Sequence, residues 1–217
     1  QGEKASVLTA QRLRELYGLE GQRSETGTPD PELSDLRSDR ERLIEMRDVT
    51  VRYGDTVALR SLTWTMHRGE HWAVLGPNGS GKTTLISLIY ADNVQAYTND
   101  IRLFGRQRGS GESIWEIKRR VGHVSPHLQV NYRLDLKVFD VVVSGFFDSV
   151  GLYRRPSEAQ RAAARRWIRR LSIESLSERQ FGQLSYGERR LVIIVRALVK
   201  DPELLALGPE GRFLYVA

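Results

Sequence analysis

Positions 76 to 84 read Gly-Pro-Asn-Gly-Ser-Gly-Lys-Thr-Thr. Three glycines, one ammonium and two hydroxyls at that spacing suit an anion. Without Cβ atoms at Gly76, Gly79 and Gly81 the backbone can wrap tightly, so its N–H groups can converge on phosphate oxygens. Pro77, Asn78 and Ser80 complete the turn. Lys82 would reach the β- and γ-phosphates, and the Thr83 hydroxyl would ligate Mg²⁺, with Thr84 beside it. The flanks agree. The apolar run His71 to Leu75 precedes the loop and Leu85-Ile86-Ser87-Leu88-Ile89 follows it, giving strand, loop and helix N-terminus in the order that an anion site needs. A chance glycine-rich turn would explain the glycines but not the Gly-x-x-x-x-Gly-Lys-Thr spacing with both flanks in place. The expected ligand is a nucleoside triphosphate with Mg²⁺.

A second cluster, Leu184-Ser185-Tyr186-Gly187-Glu188, opens a helix predicted over 185–200. Ser185 and Glu188 have the spacing of a capping box, and alone they imply nothing more than a capped helix. Gly187 adds something: with no side chain there, an anion can approach the helix N-terminus. Such a site makes sense if it faces a nucleotide held by another molecule.

The elements that must carry these groups follow from the pattern. Alternation over 43–51, apolar runs at 62–66, 101–104, 121–125 and 204–207, and the run before the loop predict strands. Residues 82 onward, 114–120, 138–144, 156–171 and 185–200 predict helices; in 156–171 the apolar face is Ala163, Trp167, Ile168 and Leu171. Strands alternating with helices predict an α/β fold with a mostly parallel sheet, a small antiparallel part and a helical insertion at about 126–190. The chain of 217 residues is 28% charged and 40% hydrophobic, which is globular. Its net charge of +6 comes mainly from arginine and leaves nucleic acid or an anionic membrane surface open as partners. It has no cysteine, which excludes disulfides and thiolate metal sites and suits a reducing compartment. No apolar run approaches the eighteen residues of a spanning helix, so membrane association is expected through a partner. Gln1 stands where an initiator Met would, which suggests a fragment or a processed chain.

The two motifs, in that order over about 43–207, resemble the ATP-binding cassette (ABC) ATPases, members of the P-loop NTPase class with a RecA-like core. The resemblance implies Mg-ATP as ligand and a second cassette, on the same or a parent chain, as partner. Two cassettes then sandwich two ATPs, each held by one loop and the other's signature. Residues Leu184, Ser185, Tyr186, Gly187 and Glu188 are the signature, with Ser185 and Gly187 at the γ-phosphate held by the partner. Tyr53 falls where the family places an adenine-stacking aromatic. Segments 69–72, 103–118, 147–153 and 191–201 resemble, more narrowly, the second cassette of double-cassette ATPases of molybdate operons and photorepair (the ModF type). On that reading 1–20 is the tail of a preceding cassette or an ordinary amphipathic helix, 21–42 a linker, and 43–217 the ATP-binding domain. Implied roles are coupling ATP hydrolysis to a transport complex for molybdate or metal chelates through permease subunits, at the cytoplasmic face of the inner membrane. The alternatives are a soluble two-cassette ATPase acting on nucleic acid or ribosomes, or a nucleotide sensor.

The family pattern also breaks. Where the strand before the hydrolytic site carries Asp-Glu, this chain has Gly208 and Pro209, and Glu210 comes two positions late. No catalytic residue is therefore assigned, and weak hydrolysis is expected. The family's glutamine after the 121–125 strand aligns with Pro126, Gln129 being the nearest substitute. The D-loop and switch-histidine segments would lie beyond Ala217, which reads as truncation.

Overall fold

A computed structural model describes residues 41–207 and 213–216. The proposed tail, the proposed linker as far as residue 40, and Gly208, Pro209 and Glu210 lie outside the described residues; Arg42, the last residue assigned to the linker, instead opens the first strand.

Two long strands, β1 (Arg42–Tyr53) and β2 (Thr56–His67), form an antiparallel hairpin closed at Gly54 and Asp55. Beyond Leu43, which is buried at the start of β1, the buried side chains are Ile44 and Met46, then Val49 and Val51, an even pair followed by an odd one. The switch is a β-bulge. Asp48 takes φ 50°, the register shifts between Met46 and Val49, and the Asp48 N–H bonds the Thr63 hydroxyl at 3.1 Å. One extra residue turns the second half of the strand back to the core face.

Strand β3 (Trp72–Ala73) leads into the glycine loop, and helix α1 (Lys82–Ile89) leaves it. Strands β4 (Asp100–Leu103) and β5 (Arg106–Gln107) extend the first sheet, whose order is β2-β1-β4-β5. Next come α2 (Ile114–Arg120), β6 (Val121–Val124), α3 (Pro126–Asn131), α4 (Val138–Val143), α5 (Glu158–Arg170) and α6 (Tyr186–Leu198). Strands β7 (Leu204–Leu207) and β8 (Phe213–Val216) close the second sheet, in the order β3-β8-β7-β6.

In the second sheet β3, β7 and β6 run in one direction, as expected of a mostly parallel core sheet, and β8 alone is reversed, antiparallel to both β7 and β3. The reason is the length of the connection. Residues 208–212 are too few for the crossover that a parallel neighbour requires, so the chain can only double back.

Two apolar clusters result. Leu43, Ile44, Met46, Leu88, Ile89, Ile101 and Leu103 centre the first, under the hairpin and α1. Val141, Val142, Ile168, Phe181, Val192 and Ile193 centre the second, among α4, α5 and α6. In α5 Ala164 and Ile168 are buried, and Trp167 and Leu171 pack partly buried against the same core, so the predicted face holds with Ala164 more deeply buried than Ala163. No described helix is long and apolar enough to cross a membrane.

Candidate functional site

The glycine loop is shaped by what it rests on. Gly81 takes φ 89°, and a Cβ there would come within 2.4 Å of the Ala58 carbonyl oxygen and 2.8 Å of a Leu59 methyl. A Cβ on Gly76 would meet the Ser80 hydroxyl at 2.6 Å. The loop thus fits against β2 as a close-walled cradle that only glycine can line at position 81, while a side chain at position 76 would have to displace the Ser80 hydroxyl. Gly81 is also the N-cap of α1 and offers no side chain to its first turn, so the first amides keep their capacity for an outside acceptor.

Lys82 folds back over the loop. Its Nζ donates to the carbonyl oxygens of Gly76 (2.8 Å) and Pro77 (2.7 Å), with the Ser80 hydroxyl at 3.4 Å. An ammonium held this way stands at the loop's mouth, ready to exchange carbonyl oxygens for phosphate oxygens. Pro77, Asn78, Gly79 and Thr83 are exposed, while Gly76, Ser80 and Thr84 are half-buried. Thr83 offers a hydroxyl and Lys82 a charge; these donors and the cradle fit a triphosphate with Mg²⁺. Among the described residues no group of three or more His, Cys, Asp or Glu side chains could hold a metal ion by itself, so such an ion would depend on phosphate oxygens for most of its ligands.

Tyr53 ends β1 with its ring exposed, and Asn93 Nδ2 donates to its hydroxyl at 2.9 Å. A cavity of about 350 Å³ lies between Tyr53, Thr83, Thr84, Asn93 and Gln95. The structure therefore brings Tyr53 and the loop to one site. The sequence reading missed Asn93, because its only local signal is that of an N-cap for the short turn Val94–Tyr97.

The signature stands apart from this loop, on the second cluster. Leu184 is buried there; Ser185, Tyr186 and Gly187 are exposed. The capping box forms as predicted: the Ser185 N–H donates to Glu188 at 2.7 Å and the Glu188 N–H to the Ser185 hydroxyl at 3.3 Å. Donation from the Ser185 backbone holds the Glu188 carboxyl below its usual range. A Cβ on Gly187 would meet nothing within 4 Å, so no contact in the fold requires glycine at that position. Gln129 is buried, and its Nε2 donates to the Tyr186 carbonyl at 2.9 Å. This candidate for the glutamine after β6 braces the signature turn.

Comparison with known proteins gives these features a family. Residues 59–207 match the family model described as ABC transporter. The chain is 46% identical over 165 residues to the ABC transporter ATP-binding protein ModF of Escherichia coli, covering 76% of this chain and 34% of that protein. It is 31% identical over 161 residues to the zinc transport system ATP-binding protein TroB of Treponema pallidum, covering 74% of this chain and 58% of that one. It thus spans about a third and less than two thirds of these two relatives. Among solved structures, cbiO1 of Clostridium perfringens, part of the ABC transporter complex cbiONQ, superposes with a TM-score of 0.66 at 24% identity, over 79% of this chain and 67% of that one. A nucleotide-free ATP-binding cassette from an ABC transporter gives 0.62 at 21% identity, over 76% and 68%. The fold is that of these cassettes, and with the family model matching more than half of its residues this chain belongs to the ABC transporter family, as an ATP-binding cassette.

Proposed function

We propose that the chain binds Mg-ATP on Gly76 to Thr84, stacks the adenine on Tyr53, and presents Ser185 and Gly187 to an ATP held by a second cassette. The observation that carries this reading is the uncapped N-terminus of α1, opening from a cradle that only glycine can line at position 81, with the Lys82 ammonium folded over the loop. The exposed signature supports the second half, since Gly187 has no packing reason to be glycine. ATP binding would then be coupled to a transport complex, through permease subunits at the cytoplasmic face of the membrane. The zinc transport relative favours a metal ion as cargo, and the resemblance of several segments to cassettes of molybdate operons keeps molybdate beside it. Gly208 and Pro209, at the family's carboxylate positions, favour weak hydrolysis by this chain alone.

Isothermal titration tests the ligand. The intact chain should bind Mg-ATP, and Lys82→Ala should lower affinity by about fivefold to a hundredfold, the loss of a charge-assisted contact of about 1–3 kcal/mol. Equal affinities for the two proteins would contradict the assignment.

One observation favours a second reading, an ATPase that works on nucleic acid: Arg165, Arg166, Arg169 and Arg170 are exposed along α5. Co-purification separates the two. Permease subunits would support transport, and bound RNA or DNA would support the other.

A further inference from the structure

The end of β1 is held by side chains of the segment between α1 and β4. Asn99 Oδ1 accepts from the Thr50 N–H at 2.9 Å. Gln95 closes on Arg52 from both sides: its Oε1 accepts from the Arg52 N–H at 3.0 Å, and its Nε2 donates to the Arg52 carbonyl at 2.8 Å. Two amide side chains thus do for Thr50 and Arg52 what a neighbouring strand would do. Asn93 completes the set. Its Oδ1 accepts from the Gln95 N–H at 3.0 Å, and its Nδ2 donates to the Tyr53 hydroxyl at 2.9 Å with the Ser87 hydroxyl at 3.3 Å. The Ser87 hydroxyl donates to the Thr84 carbonyl at 2.7 Å. A continuous path of hydrogen bonds therefore runs from the Tyr53 ring to the helix that carries Lys82 and Thr83.

Burial divides along that path. Asn93 is 8% exposed, whereas Tyr53 is 53% exposed. A tyrosine that open would change rotamers freely, and freezing it on a ligand costs affinity. Here its hydroxyl is tethered to a buried amide, and its backbone neighbour is clamped by Gln95. The tether narrows the rotamers open to the ring without any ligand.

We propose that Asn93, supported by Gln95, is a positioning residue that holds the Tyr53 ring at a set distance and angle from the phosphate loop, so that base and triphosphate are recognised as one rigid unit. The proposal rests on the Mg-ATP reading of the site. It sharpens the role of the tyrosine: the hydroxyl, as well as the ring face, contributes to affinity, although it need not touch the ligand.

The test compares Mg-ATP with inorganic tripolyphosphate by calorimetry on the full chain. The latter has the phosphates without the base. Asn93→Ala should weaken Mg-ATP about five- to tenfold, the scale expected for losing one pre-ordered side chain, and should change tripolyphosphate affinity less than about twofold. Tyr53→Phe, which keeps the ring and removes the tether, should behave like Asn93→Ala, and the double variant should be no weaker than either single one. Unchanged ATP affinity in Asn93→Ala, parallel losses for both ligands, or additive losses in the double variant would each overturn the positioning role. Lys82→Ala keeps the two levels apart. If it leaves both ligands unaffected, the phosphate-loop reading itself fails; if it weakens both while Asn93→Ala is silent, only the tether fails.

Discussion

Gly81 separates two costs that glycine loops usually mix. Its backbone sits at φ 89°, and a Cβ would strike the Ala58 carbonyl. Gly79 sits at a similar φ of 81°, but a Cβ there would meet open space. Gly79→Ala should therefore cost about 1–2 kcal/mol of left-handed strain, while Gly81→Ala adds a clash that must lift the loop off β2. Thermal denaturation with ATP titration should show Gly81→Ala the less stable of the two and the weaker binder; equal behaviour would mean the loop does not rest on the hairpin. At this scale the sequence was legible where chemistry depends on local spacing. The loop from Gly76 to Thr84 and the capping pair Ser185–Glu188 could be read because their partners lie within a few residues. The tie from Asn93 to Tyr53 and the seat of Gly81 on Ala58 could not, because those contacts exist only once distant segments meet.

Strand β6 carries a histidine whose protonation the fold opposes. The His123 ring packs on Tyr90 with centroids 4.5 Å apart, and burial pushes its pKa down from 6.5 to about 4. The folded state therefore holds it neutral, while the unfolded chain takes up a proton below its ordinary pKa. The stability at stake is fully present above pH 6.5 and is lost as pH falls from 6.5 towards 4, by at most about 3 kcal/mol. His123→Phe keeps a ring against Tyr90 and removes the proton site, so the melting temperature of that variant should fall less across the window than that of the parent. Parallel decline in both proteins would locate the acid sensitivity elsewhere. The elements themselves were unevenly legible. Helix α2 and strand β7 have the predicted bounds, one set by the Ser113–Glu116 capping box and the other by a compact apolar run. Helix α3 went unread despite Ser125 as N-cap and Pro126 in its first turn, a local signal that was there to use. The early half of β2 and all of β8 were also missed; there the decisive term is pairing with distant strands, which leaves little trace in local composition.

The whole molecule sets its two motifs on different cores. Helix α1 rests on the first cluster and Leu184 on the second. A single chain could then offer a loop and a signature to two different nucleotides, and full activity would need a second cassette. Combined with Gly208 and Pro209, this leads to an expected outcome for the purified chain: phosphate release from Mg-ATP should stay near background and differ little from Lys82→Ala. A rate of ~1 s⁻¹, at the low end of ordinary turnover, that disappears in Lys82→Ala would contradict it and require a carboxylate outside the aligned positions. The class of fold was legible from the order of the motifs. The antiparallel return of β8 was not, although the brevity of 208–212 contained the reason.

Asp148 joins the two halves. Its carboxylate accepts from the Tyr90 hydroxyl at 3.1 Å, just past the end of α1, and from Lys200 Nζ at 2.9 Å, just past the end of α6. The lysine and the aspartate are both almost fully buried. Mechanically this is a pin through two levers. The far ends of α1 and α6 carry the loop and the signature, and their near ends meet on one carboxylate. Separating those near ends means breaking a buried ion pair, at about 3–5 kcal/mol for losing one partner. A tilt of one helix against the other would therefore load the contacts at Asp148 first.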